Sequence, residues 1–390
     1  MSKVKPARLL LPLVLLFALA QTAAAQSEPR AKVVPNWQNP GVAQMETRRA
    51  LSSLPESQAV LIVNASRVIN EVLPRVMPPA DYAKMLSETR KVGFDVRGIN
   101  YVAVGARLAE PAPANNLPEF VVVIGGTFNA DTLLALGRVA AGTQNISPRS
   151  ETYGSKTLQI IDLQSIGKKP EGADGADGQG EQKPSPSPYP ELAVMALDAN
   201  TLVAGVPSYV RAMVDAADGR GALKSSMVDL AARDPQALWS LTVEPPPALI
   251  DYLHKSGAPS NKEFDEMIDW VKHVSVAQGL DALNYTMSAS VLTDTPEHAS
   301  AFSGLIRMGL LAVQTKLSSD AAKLKPRDKN YAQSRVALDA VKTFVNRTEG
   351  NTLLLSFSVP QKAVNDLARS EMGPKAKKSE TTTRRRPRRR

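Results

Sequence analysis

The chain predicts an α+β protein. The expected architecture is two tandem units related to the split β-α-β arrangement of ferredoxin-like domains, with mainly antiparallel sheets and the helices on one face. Three observations predict it. Short runs of β-branched residues alternate with stretches whose apolar residues recur at helical spacing. Short turns join the middle strands of each unit, which makes those strands antiparallel neighbours. The order of elements over residues 48–222 recurs over 232–372.

The first unit opens with the strand Ala59-Val60-Leu61-Ile62-Val63. A helix follows over about 66–76, with Val68, Ile69, Val72 and Leu73 on one face, and another over 81–91. Tyr101-Val102-Ala103-Val104 and Phe120-Val121-Val122-Val123-Ile124 read as strands joined by a Pro-rich turn. Asn129-Ala130-Asp131 starts a helix that is apolar at Leu133, Leu134, Leu136 and Val139. A hairpin over 150–163, strands over 192–197 and 201–206, and a helix over 208–217 close the unit. In the second unit, strand 238–243 precedes a Pro-started helix over 247–254 and a helix over 262–270. Strands follow over 271–278 and 284–292, the latter alternating at Tyr285, Met287, Ala289 and Val291. A helix starts at Thr295-Pro296-Glu297, a hairpin spans 344–348 and 351–359, and a last helix covers 361–368.

Other segments read differently. Lys3, Lys5 and Arg8 precede the apolar run Leu9–Ala20 and the small residues Ala23-Ala24-Ala25, the pattern of a secretory leader. Residues 1–25 are the expected signal peptide, cut between Ala25 and Gln26 with Ala23 and Ala25 as the small residues recognised. The apolar run is shorter than the roughly 20 residues a span needs, so no transmembrane span is expected after its removal. Residues 26–47 read as an extended mature N-terminus. The segment 164–190, with EGADGADGQGEQKPSPSP, reads as a disordered loop, and 373–390 as a disordered basic tail.

The net charge of +9 is concentrated at the ends. The leader contributes +3 and Lys375–Arg390 contributes +8, which leaves residues 26–374 at −2. In the tail, Lys375, Lys377, Lys378, Arg384, Arg385, Arg386, Arg388, Arg389 and Arg390 repel one another, and Pro387 bars a continuous helix. Such an arm attracts polyanions by releasing their counterions, with binding that weakens as salt rises. No aromatic residues are interleaved, so base stacking is not expected.

No residue is assigned a catalytic, cofactor-binding or metal-binding role. The chain has no Cys, which excludes thiol chemistry, disulfides and cysteinyl metal sites. The three histidines, His254, His273 and His298, lack metal-ligand spacing and read as structural. Ser165-Ile166-Gly167-Lys168 matches S-x-x-K without a rigid helix start beneath it. Gly125-Gly126-Thr127 lacks the third glycine and the lysine of a phosphate loop and reads as a strand exit needing unusual backbone angles. DGADG lacks the ligand pattern of a calcium loop. Glu263, Asp265 and Glu266 have no third group to set their pKa values apart. The sequons at Asn64, Asn145, Asn284 and Asn346 read as chance occurrences.

The runs LPESQAVLIVNASRVINEVLPRVMPPADYAKML and GFDVRGINYVAVGARL resemble a family of exported bacterial proteins of unknown function. The resemblance implies a signal peptide followed by a duplicated α+β region and an extracytoplasmic, non-enzymatic protein. It carries over no active site.

The expected function is a non-catalytic periplasmic or secreted protein of the cell envelope, a binding or structural module with a polyanion-attracting tail. Its expected partners are an anionic envelope surface or other polyanion and a protein partner, with no cofactor. Two further readings stand beside it: an extracytoplasmic hydrolase assembled from distant residues, and an extracellular nucleic-acid binder acting through the arginine-rich tail.

Overall fold

The computed structural model describes residues 40–91, 93–108, 117–143, 146–164, 187–234, 236–245, 247, 267–323 and 331–372. The first helix, α1, covers Pro40–Ser52. Strand β1, Ala59–Val63, leads into a helix, α2, that runs through Ala65–Arg67, a π-helical turn Val68–Val72 and Leu73–Val76. Pro74 has no N–H for the carbonyl one turn back, and the helix widens just before it. Helix α3 is Pro79–Lys91, and β2 and β3 are Ile99–Arg107 and Glu119–Gly126. Helix α4, Ala130–Thr143, precedes the hairpin β4 Arg149–Tyr153 and β5 Lys156–Asp162. Strands β6 Glu191–Asp198 and β7 Thr201–Gly205 follow, then helices α5 Pro207–Ala217 and α6 Ser225–Ala231.

The second half holds β8 Ala237–Val243, β9 Val271–Leu280 and β10 Asn284–Thr293. Helices α7 Pro296–Lys323 and α8 Tyr331–Lys342 lead to β11 Val345–Glu349, β12 Thr352–Pro360 and helix α9 Gln361–Met372.

The protein is α+β, and its twelve strands form one antiparallel sheet in the order β11-β12-β10-β9-β8-β1-β2-β3-β7-β6-β5-β4. The halves meet where β1 pairs with β8, with Leu61 opposite Leu241 and Val63 opposite Trp239. Strand β1 is apolar on both faces, whereas β8 sets Ser240 and Thr242 on the main-core face and Trp239 and Leu241 on the other. Reading outward from the seam gives β1-β2-β3-β7-β6 on one side and β8-β9-β10-β12-β11 on the other, with the β5-β4 hairpin added beyond β6.

The crossovers from β1 to β2 and from β8 to β9 join adjacent antiparallel strands. Two expectations need correction. First, the helices lie on both faces. Helices α1, α5 and α6 pack on the face carrying Val60, Ile62, Ala103, Val121, Val123 and Met195, the main core. Helices α2 and α3 enclose a smaller cluster of Ala65, Ile69, Val96 and Ile99 against Val102 and Ile124, which point the other way. Val121 to Ile124 is an unbroken apolar run, and such a strand is stable only when both its faces are covered. Second, residues 40–47 are helical, not extended.

On the second half, α9 lies over the same face as α2, and Tyr285 Oη donates to Asn365 Oδ1 at 3.0 Å. Helix α7 shares that face through Asn346, which donates to the Ser303 carbonyl and accepts from its hydroxyl, both at 2.8 Å. The opposite face of β9, β10 and β12 presents Ser275, Ser288, Ser290, Thr352 and Ser356. Helix α6 borders it through Ser226 and Leu230.

Candidate functional site

That hydroxyl-bearing face holds a recess of about 230 Å³. Its floor comes from three neighbouring strands in register: His273 of β9 lies opposite Leu292 of β10, which lies opposite Thr352 of β12. Ser275 and Ser290 form the next row. Its wall is Ser226 and Leu230 of α6, with Arg233 just beyond that helix.

Local bonds place the wall. Ser240 Oγ, buried on β8, donates to the Ala231 carbonyl at 2.7 Å and ties the end of α6 to the sheet. Met227, Val228 and Ala231 anchor the same helix in the main core. Beside the recess, Thr242 Oγ1 donates to Ser275 Oγ at 3.1 Å. Small side chains on β9 and β10 leave the space that α6 does not fill.

Two features make this recess chemically distinct. The buried Nδ1 of His273 has no hydrogen-bond partner, whereas buried polar atoms are nearly always paired. Arg233 is exposed and has no ion pair among the described residues. No acidic residue among the described residues lines the recess. One cation, one imidazole and four hydroxyls over two leucines suit the binding of a small ligand, and no described carboxylate orients His273 as a base.

A second polar cluster ties α2 of the first half to the second half. Arg67 is buried on α2, pairs with Glu71 at 3.1 Å, and donates to the Leu280 carbonyl at 3.1 Å and to the Gln236 carbonyl. Both carbonyls belong to the second half, so this guanidinium clamps the halves together. A third cluster surrounds Tyr209 of α5, whose hydroxyl meets Ser57 Oγ at 2.6 Å and the Glu56 carbonyl at 2.8 Å. The Arg107 guanidinium lies 4.8 Å from its ring centre. These contacts are structural.

The residues singled out from sequence fall as follows. Ala23, Ala25 and Gln26, and the tail residues Lys375, Lys377, Lys378, Arg384, Arg385, Arg386, Arg388, Arg389 and Arg390, lie outside the described residues. So do His254, Ser165, Lys168, the DGADG run, Asn145, and Glu263, Asp265 and Glu266. His298 stacks on Trp270 with ring centres 3.8 Å apart, and its Nδ1 meets Asp294 Oδ1 at 2.6 Å. That hydrogen bond holds the Asp294 carboxyl below its usual range. Gly125 and Gly126 lie within β3 at negative φ, so unusual angles are not the reason for them. A Cβ on Gly125 would overlap the Tyr101 ring, and one on Gly126 would overlap the Gly98 carbonyl. Asn64 caps α2 by accepting from the Arg67 N–H at 3.1 Å. No group of acids and histidines among the described residues could hold a metal.

Sequence reasoning placed His273 among the structural histidines. The signal it passed over is the alternation His273, Ser275, Ala277 on β9 beside Ser288 and Ser290 on β10, which marks a sheet face with little apolar surface.

No family model and no curated protein matches the sequence. Solved structures of TP0453 are similar in part. Crystal form III gives a TM-score of 0.40 at 8% identity over 82% of this chain and 98% of that one. Crystal form I gives 0.38 at 9% identity over 82% and 96%. Likenesses of this size are no guide to a shared site.

Proposed function

We propose that the chain is an exported, non-catalytic binding module of the bacterial cell envelope, related to the exported proteins its core residues resemble. Its leader directs it out of the cytoplasm and is removed before Gln26. Its basic tail holds it to anionic envelope surface by counterion release. Its body binds ligand on the hydroxyl-bearing sheet face of the second half. The observation that carries the binding role is the recess, lined by both His273, whose buried Nδ1 is unpaired, and Arg233, which has no ion pair among the described residues. The body is a duplication: each half keeps the outward strand order described above, and each contains one split crossover, β3 to β6 around β7 and β10 to β11 around β12.

The test is fractionation of the native host with N-terminal sequencing. The expected result is a chain starting at Gln26 in envelope fractions, released at low salt when Lys375–Arg390 is deleted. A cytosolic chain starting at Met1 defeats the export reading, and retention of the truncated chain defeats the role of the tail.

A further inference from the structure

We propose that the recess between α6 and strands β9, β10 and β12 binds a small monocarboxylate with a short hydrocarbon body. The proposal rests on the binding-module reading and names its ligand class.

The charge comes first. Among the described residues Arg233 is the one guanidinium or ammonium group that lines the recess, and no acid lines it. A single guanidinium without a described counter-charge matches a monoanion, and its fork of N–H donors fits a carboxylate's two oxygens. A phosphate dianion calls for more positive charge than this wall supplies. An alcohol would leave the guanidinium uncompensated.

The hydrogen-bonding groups come next. The Nδ1 of His273 is buried without a partner. In the tautomer with a proton on Nδ1 it donates to a carboxylate oxygen. The Ser226, Ser290 and Thr352 hydroxyls stand around the same space and can rotate to donate.

The remaining lining is apolar. Leu230 from the helix wall and Leu292 from the strand floor supply it. The recess, at about 230 Å³, is smaller than the roughly 300–1,000 Å³ of drug-sized sites. A few methylene groups fit, and a long acyl chain does not.

The probe is butyrate, compared with inorganic phosphate and butanol at equal concentration. The readout is the imidazole ¹⁵N signal of His273, assigned by its loss in His273→Gln, with His298, which is not among the lining residues, as an internal control. The expected result is a saturable shift of His273 with a millimolar Kd for butyrate and no shift of His298. Binding of phosphate and of butanol should be weaker. Arg233→Gln alters an exposed side chain, so the fold persists, as a thermal melt will verify. It should weaken butyrate binding about tenfold or more, the effect of losing a charged hydrogen-bond partner. Absence of a saturable His273 shift, equal affinity in Arg233→Gln, or phosphate or butanol binding as tightly as butyrate overturns the proposal. An envelope location with no butyrate response would sink this ligand class alone and leave the export reading standing.

Discussion

Tyr209 is fully buried, and burial pushes its hydroxyl up to about 12. The hydroxyl stays protonated at any physiological pH. Ser57 Oγ also donates to the Pro55 carbonyl at 2.7 Å, so two hydroxyl protons serve three contacts. Tyr209→Phe removes one of those protons and leaves a buried acceptor short, at a cost of about 1–3 kcal/mol in a denaturant melt. Arg67 carries more. Arg67→Met strands the Glu71 carboxylate, only 15% exposed, beside two orphaned carbonyls. The expected loss is about 3–5 kcal/mol, and Glu71→Leu in the same chain should recover part of it, because the buried charge is then gone as well. Asp95 sets an acid limit. The Arg97 guanidinium bonds to its carboxyl and lowers it to about 2 from 3.8. A depressed carboxyl stabilises the fold above its unfolded value, and that stability is lost as pH falls from about 4 towards 2. Asp95→Asn should flatten the stability profile in that window and leave it unchanged in shape at neutral pH.

At the scale of elements, strands were readable and helix faces were not. The strands β1, β2, β3, β8 and β10 carry β-branched alternation that shows in the sequence itself, and each lies within a few residues of its expected place. Helix α6 escaped notice because its seven residues begin with two serines and span too little chain to show a period. Yet Met227 on it is fully buried. Met227→Ala should cost about 2–5 kcal/mol by chemical denaturation and disturb the recess wall. Helix α4 shows the opposite failure. The stripe through Leu136 and Val139 reads as a buried face, but Val139 is 68% exposed and the buried positions are Ala130 and Ala141. An apolar stripe shows that a face exists, but the neighbours decide whether it is covered. In the same way Leu305, Met308 and Leu311 of α7 stand exposed while Ala299 and Ser303 of that helix are buried. The recess was illegible for a related reason. It needs α6, β9, β10 and β12 to converge, and no local pattern states that β9 lies between β8 and β10.

For the whole molecule, the seam between β1 and β8 matters most. Five residue pairs join these strands in register, and Glu244 N–H donates to the Gln58 carbonyl beyond them at 2.7 Å. With Arg67 clamped across the same boundary, the halves have no independent edge there. A single unfolding transition is expected, with tryptophan emission from Trp239 and Trp270 and far-ultraviolet circular dichroism changing at the same denaturant concentration. Two separated midpoints would show that the seam couples the halves weakly. The outermost strands complete the picture. Both β4 and β11 are five residues long, and they carry Arg149 and Glu151, and Arg347 and Glu349, respectively. Short charged rims of this kind discourage a neighbouring molecule from adding its own strand. A sheet this wide is therefore kept from growing into a fibre by ten residues at its two margins.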